Sequence, residues 1–229
     1  MLTLIILLWL RKVRNTGETN AAFLRQQLVK ISKSVLPLLI LLPLSVFSQT
    51  KNYHYQVFRN KDQIGSVSIT ETHDKERRTI ELQSSIKAKM VITVSVCTRE
   101  KTMLEDQRIV FAESRKKING NDEVARKLTS QGNGYEFVGN RKQVQLDSTP
   151  IYNNTVSLFV NEPTRSMAVF ADTFNRMLEL KRISEHTYLL ELPDGNRNTY
   201  LYKDGICHEV KLDHKFFSAR IVLDKINMQ

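Results

Sequence analysis

Apolar and polar residues alternate along the chain over positions 80–96. The apolar, even-numbered positions include Ile86, Met90, Ile92 and Val94. A period of two predicts β-strand with one apolar face. At about 3.3 Å per residue, an unbroken strand over residues 78–98 would span roughly 70 Å, which is too long for a compact domain. We therefore expect one long, strongly curved strand with a bend or bulge near residues 89–91.

Shorter alternating segments predict antiparallel hairpins. Segments 53–58 and 65–72 flank a turn, and segments 109–118 and 124–130 flank the sequence Asn-Gly-Asn. The strongest hairpin signal is Asp204-Gly205, which lies between two further alternating segments. An Asp-Gly pair favours the type I′ turn, in which both central residues have positive φ.

One segment, residues 154–160, has the pattern of a helix. Asn154 or Thr155 supplies its N-cap, and Pro163 lies just beyond its end. The sequence therefore predicts an all-β fold with minor α content. The expected architecture is a curved antiparallel meander that forms an open barrel or half-barrel with one short helical insert.

The N-terminal region has the features of an export signal. Lys30 and Lys33 precede a short apolar run, and Val46 and Ser48 are small residues at a cleavage position. The run is too short to span a bilayer comfortably, since a helix needs about 20 apolar residues. We interpret residues 29–48 as a signal peptide and residues 49–229 as a single exported β-domain, periplasmic or secreted. No stable membrane span is expected after cleavage.

Residues 1–28 form an extra segment ahead of this signal. One interpretation is a mis-called start, with translation beginning at Val29, because the basic n-region appears only at Lys30. The alternative is a two-part membrane anchor formed by the first ten residues and the later apolar run. Ten apolar residues do not cross a bilayer core.

Much of the net charge of +10 belongs to the N-terminal region. Residues 1–48 contain six basic residues and one acidic residue, so their removal lowers the net charge to +5. The remaining basic residues are spread along the strands, and their densest clusters lie beside turn signals. A basic stripe for nucleic acid is therefore not expected.

The sequence contains none of the familiar catalytic motifs, neither G-x-S-x-G, H-E-x-x-H nor a phosphate loop. His208 and His214 share strand parity, but six residues separate them by about 20 Å, too far to bind one metal ion together. The acid pairs, such as Asp172 with Glu179 or Glu100 with Glu105, have the pattern of solvated strand-end charges. We predict no catalytic residues, no metal site and no cofactor.

Cys97 and Cys207 are a candidate disulfide in an oxidising compartment. A bridge between them would close a loop of roughly 110 residues and contribute on the order of 4 kcal/mol in the chain-entropy model. The alternative is two separate thiols on a surface face. Sequence alone leaves both open, because it does not give the Cα separation.

The C-terminal half resembles a known family. The stretches that carry the resemblance are S-L-F-V-N-E-P from Ser157, V-F-A-D from Val169, Y-L-L-E-L-P-D-G from Tyr188, Y-L-Y-K-D-G-I-C from Tyr200 and E-V-K-L-D-H from Glu209. They are similar to a family of uncharacterised exported β-rich proteins of Gram-negative bacteria, which is defined by a domain of unknown function. The resemblance implies export and one β-domain, and it implies no activity. Asn175 stands where the family often has a turn glycine.

Two classes of function remain open. The first is a non-enzymatic envelope protein that binds a lipid, another hydrophobic ligand or an envelope partner on a concave sheet face. Its candidate ligand-binding residues are Ile86, Met90, Ile92 and Val94. The alternative is a purely structural role, in which this face packs against the opposite wall of its own sheet. The second class is a periplasmic, hydrolase-like enzyme, which a pocket with His186 or His208 bonded to a carboxylate would favour.

Overall fold

A computed structural model describes residues 49–89, 93–139, 142–146, 150–164, 167–215 and 217–228, without the side chains of residues 122–124 and 142. The predicted signal peptide at residues 29–48, the preceding segment 1–28 and the candidate residues Met90 and Ile92 lie outside the described residues. In the described part of the chain, no helix is long and apolar enough to cross a membrane.

The described residues form fourteen strands and one short helix, α1. The strands are β1 (Gln49–Arg59), β2 (Asp62–Asp74), β3 (Arg77–Lys89), β4 (Thr93–Glu105), β5 (Arg108–Ile118), β6 (Asn121–Gln131), β7 (Gly134–Gly139), β8 (Lys142–Leu146), β9 (Ala168–Ala171), β10 (Arg176–Ser184), β11 (Thr187–Glu191), β12 (Arg197–Lys203), β13 (Ile206–His214) and β14 (Phe217–Met228). Helix α1 is Ser157–Val160 and lies between β8 and β9.

All fourteen strands belong to one antiparallel sheet. Its order is β8-β7-β6-β5-β4-β3-β2-β1-β14-β13-β12-β11-β10-β9. The first and last strands, β1 and β14, therefore pair in the middle of the sheet. Strands β1 to β8 follow one another from the middle to one edge, and strands β9 to β14 follow one another from the other edge back to the middle. Strands β8 and β9 are the two edges, so the sheet is not closed. The predicted all-β fold with a short helical insert is confirmed.

The predicted hairpin turns are confirmed by backbone conformation. Strand β12 ends one residue before Asp204, and β13 begins one residue after Gly205. Both turn residues have positive φ, 52° and 77°, as a type I′ turn requires. Asn175 has a φ of 50°, so it occupies the left-handed region, as expected for a residue at a turn position.

The expected single long strand over residues 78–98 is wrong. The alternating segment forms two antiparallel strands, β3 and β4, which pair from Arg77 opposite Glu105 to Lys89 opposite Thr93. The even-numbered apolar residues stay on one face because paired residues in an antiparallel ladder point to the same side. Alternation thus continues through a hairpin, and no glycine or proline marks the reversal.

Helix α1 packs on the inner face of the sheet, where two tyrosines hold it. The Tyr202 hydroxyl donates to the carbonyl of Leu158 at 2.7 Å, and the Tyr55 hydroxyl lies 3.0 Å from the carbonyl of Phe159. The rings of Tyr55 and Phe159 meet edge to face, with centroids 5.3 Å apart. These bonds satisfy carbonyls that a helix end leaves unpaired. The structure differs from the predicted cap at Asn154 or Thr155, because α1 begins at Ser157 and its N-cap residue is Val156, without a side-chain cap bond. Asn154 lies just before this position, and its Oδ1 accepts from the Ser157 amide at 2.9 Å.

Candidate functional site

The inner face of the sheet carries the core in its middle and a cavity at each end of strands β2–β4. Ile80 and Leu82 of β3 are buried in the core, whereas Ile86 and Ala88, further along the same strand, are only half-buried. The side chains in the middle of the strands are therefore covered by other parts of the protein, whereas those near the strand ends are only partly covered. The two cavities differ in chemistry.

The first cavity, which we call the apolar cavity, has a volume of about 260 Å³. It lies where β1, β3 and β5 end and β2, β4 and β14 begin. Its apolar lining consists of Val57, Ile64, Ile86, Ala88, Val94, Val96, Leu212, Phe217 and Ala219. Two of the candidate ligand-binding residues, Ile86 and Val94, therefore line this space, and Ile86 also packs against the hydrophobic core.

Two cations complete the lining of the apolar cavity. Arg59 and Lys116 are half-buried beside the apolar side chains. A Nη1 proton of Arg59 is donated to the backbone carbonyl of Lys89 at 3.2 Å. The lining thus combines a hydrophobic surface with positive charge and contains no carboxylate.

The second cavity, which we call the polar cavity, measures about 390 Å³ and lies at the opposite ends of β2–β4. Its lining includes His73, Arg78, Tyr152, Ser157 and Asn161. Hydroxyl, amide and charged groups supply about half of this surface. It suits water or a polar molecule better than a hydrocarbon chain.

Glu71 contacts two residues that line the polar cavity, His73 and Arg78. Its carboxylate is 3% exposed and accepts hydrogen bonds from the Tyr53 hydroxyl and from Nε of Arg78, and it lies 2.8 Å from Nε2 of His73. Burial by itself would raise the pKa of Glu71. The positive charge of Arg78 and the hydrogen bonds outweigh burial, so the pKa of Glu71 lies below its ordinary value.

The polar cavity does not assemble a nucleophile with a base among its described side chains. Ser157 is buried, and its Oγ donates to the Asn154 carbonyl at 3.0 Å and accepts from the Asn154 amide at 3.0 Å. Both bonds engage this hydroxyl with the backbone of Asn154. Catalysis by a hydroxyl requires a base within hydrogen-bond reach of it.

A third polar group of residues lies on the inner face between the two cavities. Glu100, Ser114 and Arg126 stand opposite one another on β4, β5 and β6. Ser114 Oγ donates to Glu100 at 3.4 Å, and Arg126 lies 3.9 Å from Asp172. These residues border a cavity of about 20 Å³, enough for one water molecule and too small for a substrate.

The interpretation of Glu100 as a solvated strand-end charge is wrong. Burial, together with the negative charge of Asp172, raises the pKa of Glu100 above its ordinary value. Glu100 and Asp172 are 72 positions apart in the sequence, so their spacing does not predict that they lie close together. The Nε of Arg126 is buried without a hydrogen-bond partner among the described residues.

Replacing Glu100 with glutamine is expected to stabilise the protein at pH 8 by about 1–3 kcal/mol. The folded state holds the Glu100 proton more strongly than the unfolded state, so the stability of the parent falls as the pH rises above about 4.5. Glutamine removes this loss and changes little near pH 4. Urea unfolding of parent and variant at both pH values measures the difference.

Glu113→Gln is the matched control, since Glu113 is on β5 and pairs with exposed Arg115 at 2.8 Å. A surface pair of this kind contributes at most about 1 kcal/mol, so no stabilisation is expected. A Glu100→Gln variant that is no more stable than the parent at pH 8 would contradict the raised pKa.

The histidines singled out from the sequence do not form a buried site. His186 Nδ1 lies 3.0 Å from both carboxylate oxygens of Glu162, but the His186 side chain is 55% exposed. His208 is exposed. His73 borders the polar cavity and lies against the carboxylate of Glu71, but its side chain is 46% exposed. In the described part of the chain, no group of three or more histidine, cysteine or acidic side chains could hold a metal ion.

The candidate disulfide between Cys97 and Cys207 is absent from the structure, where both thiols are free. Cys97 is exposed on β4, whereas Cys207 is buried on β13. The exposed and the buried thiol lie on different faces of the sheet, so a bridge would require one strand to turn over. Burial raises the pKa of Cys207 to about 12, which makes it unreactive as a thiolate near neutral pH.

Fold and cavities together define a barrel-like β-protein with an open inner face. The model of the family "Domain of unknown function (DUF6134)" matches residues 55–224, and the chain belongs to this family. The sequence-based resemblance to a family of β-rich proteins of unknown function is thereby confirmed.

A solved structure supports the same architecture. The protein is similar to a β-barrel-like protein of the domain of unknown function DUF1849 from Brucella abortus, with a TM-score of 0.51 and 12% sequence identity. The likeness covers 80% of this chain and 98% of that chain. At this identity it shows the fold alone. No curated protein matches the chain.

Proposed function

We propose that this protein is an exported, non-enzymatic envelope protein that binds a lipid or another hydrophobic ligand in the apolar cavity. The observation that carries the proposal is an open volume of about 260 Å³ lined mainly by aliphatic and aromatic side chains. Protein interiors are otherwise packed with few voids larger than a water molecule. A concave, mostly apolar surface with a few polar groups is typical of ligand sites.

The export half of the proposal is supported by the sequence of the N-terminal region. Two lysines, a short apolar run and small residues before Gln49 are typical of a signal peptide. A periplasmic or secreted location gives the protein access to the lipids of the envelope.

The alternative function is a hydrolase-like enzyme that uses the polar cavity. The contact between His73 and Glu71 favours it, because a carboxylate that orients a histidine is a common catalytic arrangement. The engaged hydroxyl of Ser157 weighs against it, as does the strong pairing of Glu71 with Arg78. Binding in the apolar cavity is therefore the better supported function.

Ala88→Phe is expected to abolish binding of an apolar fluorescent probe, N-phenylnaphthylamine, without lowering the stability of the fold. Ala88 lines the apolar cavity, and a phenyl ring there would occupy the space that a ligand needs. Because the ring enters existing space, it does not overpack a filled core. Titration with the probe, followed by thermal unfolding of both proteins, tests the proposal.

Lys87→Phe is the matched control, because Lys87 is exposed on the opposite face of β3. This variant should bind the probe as the parent does. If Ala88→Phe and Lys87→Phe both retain the affinity of the parent, the probe does not bind in the apolar cavity and the proposal fails. Native mass spectrometry of the purified protein shows directly whether a lipid accompanies it.

A further inference from the structure

We propose that the ligand of the apolar cavity is a single-chain amphiphile of the fatty-acid type, whose carboxylate is bound by Arg59 and Lys116. This inference rests on the proposed function and names its ligand class. Both cations belong to the lining of the cavity, in contact with the same space as Ile86 and Val94. A hydrocarbon chain and an anionic headgroup would each find a matching surface there.

The two cations reach the cavity from well-separated strands. Arg59 is the last residue of β1, and Lys116 is near the end of β5. Four strand spacings separate β1 from β5, about 19 Å along the sheet. Curvature of the sheet brings both side chains to one cavity, so they flank it from two sides. Their positive charges add within that space.

Neither cation has a carboxylate partner among the described residues. Asp62 stands opposite Arg59 in the β1–β2 register, but no ion pair within 4.0 Å joins them. Lys116 stands opposite Thr98 and Val124, which are not acidic. By contrast, Arg77 and Arg78 both pair with glutamates.

A carboxylate fits the free donors of the site. Arg59 uses one Nη1 proton for the Lys89 carbonyl, so its other N–H groups remain available to an anion. Guanidinium and carboxylate groups form paired hydrogen bonds, and such charge-assisted bonds are stronger than neutral ones. The long stems of arginine and lysine can lie along the apolar wall while their charges face the headgroup.

The size of the cavity favours one chain over two. Its volume of about 260 Å³ lies just below the range of roughly 300–1,000 Å³ typical of sites for drug-sized ligands. A diacyl phospholipid would have to leave most of its hydrocarbon outside. A single acyl chain can insert its proximal part below the two cations.

The test compares a carboxylate with its uncharged ester. Dansylaminoundecanoic acid and its methyl ester share one chain and one fluorophore, so they differ only at the headgroup. We expect the parent protein to bind the acid about tenfold more tightly than the ester. In the double variant Arg59→Gln/Lys116→Gln, affinity for the acid should fall by about tenfold and affinity for the ester should not change.

Lys61→Gln/Lys87→Gln is the control for loss of two positive charges, because both lysines are exposed and neither lines the cavity. It should keep the preference for the acid. If the double variant Arg59→Gln/Lys116→Gln does not fold, as judged by circular dichroism, Lys116→Gln alone must still reduce the preference.

The outcomes separate this inference from the proposed function. If the parent binds acid and ester equally and Ala88→Phe binds neither, the carboxylate site is overturned and hydrophobic binding remains. Absence of binding by either probe would overturn both. An unchanged preference in Arg59→Gln/Lys116→Gln would place the recognition of the carboxylate elsewhere and refute the assignment to these two residues.

Discussion

Replacing Arg78 with methionine is expected to lower the free energy of unfolding by about 3–5 kcal/mol, because it leaves Glu71 as an uncompensated buried charge. Glu71 is 3% exposed, and Arg78 is its ion-pair partner. Methionine keeps much of the arginine stem's volume, so the loss reports charge and hydrogen bonding more than packing. Chemical denaturation of parent and variant at pH 7 measures it.

The same variant should reverse the contribution that Glu71 makes to the pH dependence of stability. In the parent, the pKa of Glu71 is depressed, so its contribution is present above the ordinary value of 4.5 and is lost as the pH falls through the folded-state pKa. Without Arg78, burial of Glu71 raises its pKa. The variant should then gain more stability on acidification toward pH 5 than the parent, in which Glu100 alone contributes such a gain.

Arg77→Met is the matched control on the neighbouring residue. Arg77 pairs with Glu105 at 2.6 Å, but the side chains are 56% and 44% exposed. Such a pair contributes at most about 1 kcal/mol. The double variant Glu71→Gln/Arg78→Met should recover much of the loss, since it removes the buried charge as well. Equal effects of Arg77→Met and Arg78→Met would refute the view that Glu71 depends on Arg78.

Local turn chemistry explains why the fold class was predictable. Asp204-Gly205 and Asn119-Gly120 both adopt positive φ at each turn residue, as their residue types favour. These preferences act over two to four residues and need no tertiary information. The strands were predictable for a similar reason, because the alternation of apolar and polar residues within a segment indicates which face of the strand is buried.

The reversal between β3 and β4 was not predictable from the same signals. The segment between Lys89 and Thr93 lacks glycine, proline, asparagine and aspartate. Alternation keeps its phase across the pair Lys89 and Thr93, so one long strand and one hairpin give the same pattern. Length was the only clue, since roughly 70 Å of strand does not fit a compact domain.

Pattern alone could not separate core from cavity on the inner face. Ile80 and Ile86 occupy equivalent positions in the alternation, yet Ile80 is fully buried and Ile86 lines the apolar cavity. The difference depends on what the rest of the chain places opposite each residue. Helix α1 and the aromatic side chains around it fill the middle of the inner face.

The charged groups of the inner face were the least accessible to sequence reasoning. Glu100 lies on β4 and Asp172 on the turn after β9, which are far apart both in the chain and in the order of strands. Glu71 and His73 did carry a weak signal. They share the face of β2 that also holds buried Ile69, and a carboxylate on such a face needs a partner.

Gly65→Ala is expected to destabilise the protein by about 2–4 kcal/mol and to weaken probe binding in the apolar cavity. A Cβ at this position would lie 2.3 Å from the backbone oxygen of Ser85 and 2.8 Å from Cα of Ile86. Both contacts are with the backbone of β3, so no side chain can rotate away. The pairing of β2 with β3 must shift instead.

The position of Gly65 links this strain to the candidate site. The β1–β2 register places Val57 opposite Gly65 and Phe58 opposite Gln63, so Ile64 is the extra residue of a bulge. Ile64 and Ile86 both line the apolar cavity, and any shift of β2 against β3 changes their separation. Glycine therefore permits the close strand approach that sets the shape of this end of the inner face.

Ser66→Ala provides the control for Gly65→Ala. Ser66 is the next residue of β2 and is exposed, so its replacement should change stability by no more than about 0.5 kcal/mol and leave probe affinity unchanged. Thermal unfolding and probe titration of both variants separate the two effects. A Gly65→Ala protein with the stability of the parent would show that β2 and β3 can move apart freely, and the apolar cavity would then have no fixed shape with which to select a ligand.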